Sequence, residues 1–259
     1  MDTDSPSLLI QAVSAGRLDE LERLLGTEQR PTEEAIHSLL AAAARESQSS
    51  IVTFLLSKYP AIPINEAVIR AATFSGSTDV VSALVSKDPS IANCHFENGG
   101  TPLTLACLSQ KPVEFLECLL KAGADPNLAP DVTPLPLFSA ARLYKDPDVI
   151  ELLLKYGAKL ERSGALGAAA LQGNKAIVQC LIEHGAEQEA DCEPGGSELA
   201  VHAAARRRHV GVLRILLEHG AKCDVKDSEG RTVADIINEV ETKEGKDLNE
   251  MRALLVRYQ

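Results

Sequence analysis

Tryptophan is absent, and five Phe with four Tyr leave aromatics at only 3% of the 259 residues. A sandwich or barrel built on aromatic and β-branched strands is therefore a poor fit. No stretch approaches the roughly 18–20 apolar residues that span a bilayer, and the opening Met1-Asp2-Thr3-Asp4-Ser5 lacks the positive n-region of a signal peptide. Basic residues are in deficit, 26 Lys+Arg against 37 Asp+Glu, and the deficit is spread: residues 1–130 carry 9 basic and 16 acidic side chains, residues 131–259 carry 17 and 21. Arg206-Arg207-Arg208-His209 is the one basic run. Neither a phosphate backbone nor a membrane is thus an expected partner.

Disulfide and glycosylation signals are missing as well. Cysteines at 94, 107, 118, 180, 192 and 223 form no Cys-x-x-Cys, and no Asn-x-Ser/Thr acceptor occurs. This usage predicts a reduced, intracellular chain, cytoplasmic with the nucleus left open. Catalytic signatures fail too: there is no Gly-x-Ser-x-Gly, no His-Glu-x-x-His and no Gly-x-x-x-x-Gly-Lys-Ser/Thr. Gly173-Asn174-Lys175 reads as a turn between helices rather than a phosphate loop. Cys94, His95 and Cys192 lack partners at zinc-ligand spacing, and Cys107, Cys118 and Cys180 fall on apolar helix faces as small hydrophobes. No cofactor or metal is expected, and the balance leans against an enzyme.

What the chain does contain is a recurring block. An Ala-rich stretch, often a Gly, and then a Leu-Leu-type pair recur at Leu24-Leu25, Leu55-Leu56, Leu84-Val85, Leu119-Leu120, Leu153-Leu154, Leu181-Ile182 and Leu216-Leu217. Successive pairs lie 31, 29, 35, 34, 28 and 35 residues apart, and an eighth, Leu254-Leu255, follows after an insertion around Glu244-Gly245-Lys246. Each block reads as two short helices. In the fourth, Thr101-Pro102-Leu103 opens a helix, because Thr caps and Pro is tolerated at the first helical position. Phe115, Leu116, Leu119 and Leu120 then stripe one face of a second helix, which Gly123 ends. One such hairpin cannot bury its apolar face alone, so neighbours must stack.

These residues carry a resemblance to the ankyrin repeat family across nearly the whole chain. Thr101-Pro102-Leu103-Thr104-Leu105-Ala106 and Gly123-Ala124-Asp125-Pro126-Asn127 are similar to the family's opening and closing motifs, supported by Gly157-Ala158, Gly185-Ala186, Gly220-Ala221 and Asp227-Ser228-Glu229-Gly230-Arg231-Thr232. The resemblance implies an all-α solenoid of seven to eight helix-turn-helix repeats with short β-hairpin fingers. The expected organisation is a single domain over 1–259, with degenerate cap repeats at 1–62, central repeats at 63–226 and a C-terminal capping repeat at 227–259. Lys243, Glu244, Lys246, Asp247 and Glu250 give that last repeat a polar outer surface. Short junctions at 57–66 and 155–163 predict notches in the finger row.

In this family the residues following the Ala pair of each first helix point into a concave groove. Here that row includes Phe74, Leu108, Arg142, Leu143, Leu171, Arg206 and Arg207, and one turn earlier stand Arg70, Phe138, Gly167 and His202. An apolar patch rimmed by Arg suits a partner protein or peptide with an acidic group, since Arg pairs carboxylates bidentately and aromatics anchor interfaces. The expected function is a monomeric, non-enzymatic scaffold. The alternative is a small-molecule or acid/base, cyclase-like pocket around Phe138, Gly167 and His202, with Arg142 and Arg206 holding an anion. These histidines also have packing or capping readings: His184 and His219 at helix C-termini, His209 in a turn, and His202 at the histidine of the family's opening motif.

Overall fold

The computed structural model describes residues 5–27, 31–97, 99–128, 134–186, 199–245 and 248–258. Cys192, Lys246 and Asp247 fall outside them. The described residues form sixteen α-helices and no strand, in two compact units, Met1–Thr133 and Pro134–Gln259.

In the first unit the hairpins are α1 (Ser5–Ser14) with α2 (Leu18–Thr27), α3 (Glu33–Arg45) with α4 (Ser49–Lys58), α5 (Glu66–Ser75) with α6 (Thr78–Lys87), and α7 (Pro102–Leu108) with α8 (Val113–Lys121). The first helices pack side by side in the order α1, α3, α5, α7, and α4, α6 and α8 form the second layer. Close approach follows from small residues: Ala43, Ala44, Ala71, Ala72, Ala106 and Cys107 are all buried. The second layer supplies bulk instead, through Leu55, Leu84, Phe115, Leu116 and Leu119.

The second unit repeats the plan with α9 (Pro136–Leu143) and α10 (Asp148–Lys155), α11 (Ala165–Gln172) and α12 (Lys175–Glu183), α13 (Ala200–Arg206) and α14 (Val210–Glu218), and α15 (Val233–Glu244) and α16 (Asn249–Tyr258). First helices again stack in order, α9 to α15, as do second helices, α10 to α16. Leu254 and Leu255 of the eighth pair are buried.

Local chemistry explains where helices start and turn. Thr101 accepts from the backbone N–H of Thr104 with Pro102 following it, and Thr232 with Asp235 forms a reciprocal capping box. Most of the hairpin turns carry one left-handed residue. Gly173 is such a residue at φ 74°, and a Cβ there would lie 2.5 Å from Nδ1 of His209, whose Nε2 sits 3.2 Å from the Leu171 carbonyl. Ser47, Gln110 and Arg208 take the same left-handed conformation without being glycine. His184 and His219 each place Nδ1 2.8 Å from the carbonyl four residues earlier, completing helix C-termini.

The loops between hairpins depart from the ladders implied by β-hairpin fingers. Among the described residues they are turns closed by one or two backbone bonds, as in Phe96 N–H to Gly100 O and Asp227 N–H to Arg231 O. A 3₁₀ turn at Pro89–Asn93 occupies the loop before α7. Side chains do the tying: Asn93 donates to the Gly123 carbonyl and accepts from the Asp125 N–H, both at 2.8 Å. The short 57–66 junction is closed by Tyr59 and Ile62, both buried, and by His37 donating to the Pro63 carbonyl at 2.7 Å.

One buried group costs stability. Ser139 of α9 is 1% exposed and its hydroxyl has no hydrogen-bond partner. An unpaired buried hydroxyl carries a desolvation penalty that an apolar side chain avoids. Ser139→Ala is expected to stabilise the protein by about 1 kcal/mol, read as a higher urea midpoint at unchanged slope.

Candidate functional site

Phe74 and Leu108 lie at the ends of α5 and α7, each two residues before the left-handed residue of its hairpin turn, Gly76 and Gln110. Phe74 is 49% and Leu108 44% exposed, at equivalent positions on these packed helices. Large apolar side chains exposed to this degree are few among the described residues, and these two share one layer. Lys111 links the two hairpins by donating from Nζ to the Phe74 carbonyl. Arg70, one turn before Phe74, is committed locally. Its guanidinium pairs with Glu66 at 3.3 Å and covers the buried Phe96 ring at 4.9 Å, while Glu66 accepts from the Glu97 N–H at 2.9 Å.

The second unit presents a more basic row. Arg142 and Arg207 are exposed, and Phe138, Leu143 and Leu171 are half-buried. Arg206 is partly drawn away, with a guanidinium nitrogen 3.8 Å from an Asp227 carboxylate oxygen. Asp227 is the centre of a turn: it accepts from the N–H groups of Glu229 and Arg231 at 2.9 Å and pairs with the Arg231 guanidinium at 2.8 Å. Burial opposes its ionisation, but the Arg231 backbone and guanidinium outweigh it and hold the carboxyl down at about 2.

His202, expected on the exposed face, is instead fully buried. Its Nε2 lies 3.1 Å from the Val225 carbonyl and 3.2 Å from the Arg231 carbonyl, so the ring pegs the following loop to α13. The first turn of α13 faces the base of the following loop, whereas Arg206 at its end is partly exposed. Gly167 is buried in α11 as well. The imidazole required by an acid/base pocket around Phe138 and Gly167 is therefore engaged in holding backbone.

No group of three or more His, Cys, Asp or Glu side chains among the described residues is arranged to hold a metal ion. Burial pushes the Cys107 thiol up to about 12 and, with Glu66 nearby, Cys94 up to about 11, far from the range of a nucleophilic thiolate. No helix of the described residues is long and apolar enough to cross a membrane.

The first unit also holds a feature that no motif marks, an open cleft of about 670 Å³ along α3. It is lined by Glu33, Glu34, His37, Ser38, Ala41, Ala42 and Arg45 of α3, with Ile10 of α1 and, from the next hairpin, Asn65 and Ala67. Ala41, Ala43 and Ala44 of the run on α3 are buried, so the run by itself does not mark the cleft, and only packing shows which first-helix face stays uncovered.

Comparison with known proteins agrees with this architecture. The sequence profile of the family described as Ankyrin repeats (3 copies) matches residues 9–130 and 137–227. Alpha-latroinsectotoxin-Lt1a of Latrodectus tredecimguttatus is 31% identical over 164 residues, 62% of this chain and 9% of the toxin. Cyclin-dependent kinase inhibitor 2A of Monodelphis domestica is 33% identical over 96 residues, 36% of this chain and 56% of the inhibitor. The chain thus spans little more than half, or far less, of the length of these relatives. The crystal structure of the human ASB11 ankyrin repeat domain superposes with a TM-score of 0.68 at 23% identity, covering 84% of this chain and 96% of that domain, a likeness of fold.

Two outcomes follow for the Asp227 loop. His202→Ala removes the ring contact to the Val225 carbonyl and leaves the Arg231 carbonyl with only the Asp227 N–H, and is expected to cost about 1–3 kcal/mol, measured by denaturant unfolding. Because the Asp227 carboxyl is held at about 2, below its usual 3.8, its contribution is complete above pH 4 and lost as pH falls toward 2. Acid unfolding of Asp227→Asn should accordingly show a shallower loss of stability across that interval than the unaltered protein.

Proposed function

Since this chain belongs to the ankyrin repeat family, whose repeats are general protein–protein interaction modules, we propose that it is a non-enzymatic, monomeric scaffold that holds a partner protein or peptide against its first-helix layer, inside the cell. The observation that carries this reading is the exposure of Phe74 and Leu108 at equivalent positions of adjacent helices. Water contact over two such side chains is unfavourable, and covering each recovers about 1.5–3 kcal/mol before ordering costs are subtracted.

Arg142 and Arg207 offer the second unit's contribution, two exposed guanidinium groups suited to carboxylates of an acidic partner. Phe138, Leu143 and Leu171, half-buried beside them, supply apolar surface at lower gain because part of each is already covered. Arg70 and Arg206 are held locally, by Glu66 and Asp227. The relatives' names include a kinase inhibitor and a toxin; the chemistry of this chain's surface suits an apolar anchor on the first unit and an acidic group on the second.

Phe74→Ala with Leu108→Ala is expected to weaken the partner about 10–100-fold while leaving the thermal unfolding midpoint nearly unchanged, because both side chains are half in water already. Affinity purification with each protein, followed by mass spectrometry, identifies the preys that depend on the pair. Retention of every specific prey by a folded double variant would sink the reading.

A further inference from the structure

The cleft along α3 differs from the Phe74–Leu108 surface in shape and charge. Glu33 and Glu34 stand at the first turn of α3 and Arg45 at its end, about 18 Å apart at 1.5 Å per residue. Between them the cleft is lined by His37, Ser38, Ala41 and Ala42, and Ile10, 36% exposed, adds apolar surface. Acidic residues at a helix start and a basic residue at its end also complement the helix dipole, so the signs alone make no site. What adds to them is an unfilled volume of about 670 Å³ lined by all of these residues, with an apolar side chain left facing water. None of Glu33, Glu34 and Arg45 is tied up in an ion pair among the described residues, in contrast to Arg206 and Arg231 of the second unit.

We propose that this cleft takes an extended segment of a partner protein bearing Lys or Arg at one end and Asp or Glu about five residues away, with small residues between. The spacing follows from the span: an extended chain advances about 3.3 Å per residue, so 18 Å is five to six residues. The basic side chain meets Glu33 and Glu34, the carboxylate meets Arg45, and the middle covers His37, Ser38, Ala41, Ala42 and Ile10. This inference rests on the scaffold reading above and adds to it a second contact made by other residues.

The test uses heptapeptides displayed on phage and panned against the full chain. Enriched sequences should pair a basic with an acidic residue four to six positions apart, and their recovery should fall at least tenfold on Glu33→Lys/Glu34→Lys and on Ile10→Ser. Glu33→Gln/Glu34→Gln, which removes charge without opposing the helix dipole, should produce a smaller fall in the same direction, with circular dichroism confirming the fold of each variant. No enrichment above vector phage, enrichment without the charge pair, or recovery indifferent to the Glu33 and Glu34 variants overturns the inference. Peptides lost on Phe74→Ala/Leu108→Ala but retained by the Glu variants would support the scaffold surface and overturn this one.

Discussion

Everything in this protein depends on apolar burial between neighbouring hairpins. A helix pair of some twenty residues has too little interior to offset its own ordering cost, so each hairpin spends its Leu and Val on its neighbours. The small residues of the first helices make this possible. Ala43-Ala44, Ala71-Ala72, Ala140-Ala141 and Ala203 to Ala205 let backbones approach, while the second helices fill the remaining space with Leu, Ile, Val and Phe115. A large residue substituted into one of these Ala positions would separate two repeats rather than perturb one.

The same constraint creates the candidate surface. At the ends of α5 and α7 the chain leaves the packed layer, and Phe74 and Leu108 there are available to a partner. The scaffold therefore separates two tasks by one turn of helix. His202 lies on the packed side of that boundary and holds the Val225 and Arg231 carbonyls, and Arg206, four residues on, reaches solvent while still touching Asp227. Charge is distributed in keeping with this: the Asp227–Arg231 cluster stabilises a loop, whereas Arg142 and Arg207 are exposed.

Much of the fold was legible in order along the chain. The Leu-pair spacing gave the number of hairpins, Thr101-Pro102 and Thr232 gave helix starts, and Gly173-Asn174 read correctly as a turn, with His209 seated over the glycine. Sites were less legible. Phe74 and Leu108 were recognisable from their place after the Ala pair, but His202 was assigned to the open face because helical periodicity relates it to Arg206 without saying what lies opposite its first turn. The β-hairpin fingers likewise followed from resemblance, whereas the described loops are held by side chains such as Asn93 and Asp227.

The sequence by itself determined the repeat, its length variation, the helix caps and the class of surface available, because these depend on neighbours in the chain and on periodic burial. Only the tertiary structure decided which polar side chains became internal pegs, which arginines were paired, and where a cleft opened beside α3. Those outcomes depend on contacts between residues 20 or more positions apart, such as His202 with Val225 and Arg231 or Ile10 with α3. Periodicity places a side chain on a helix face; packing alone decides whether that face meets protein or water.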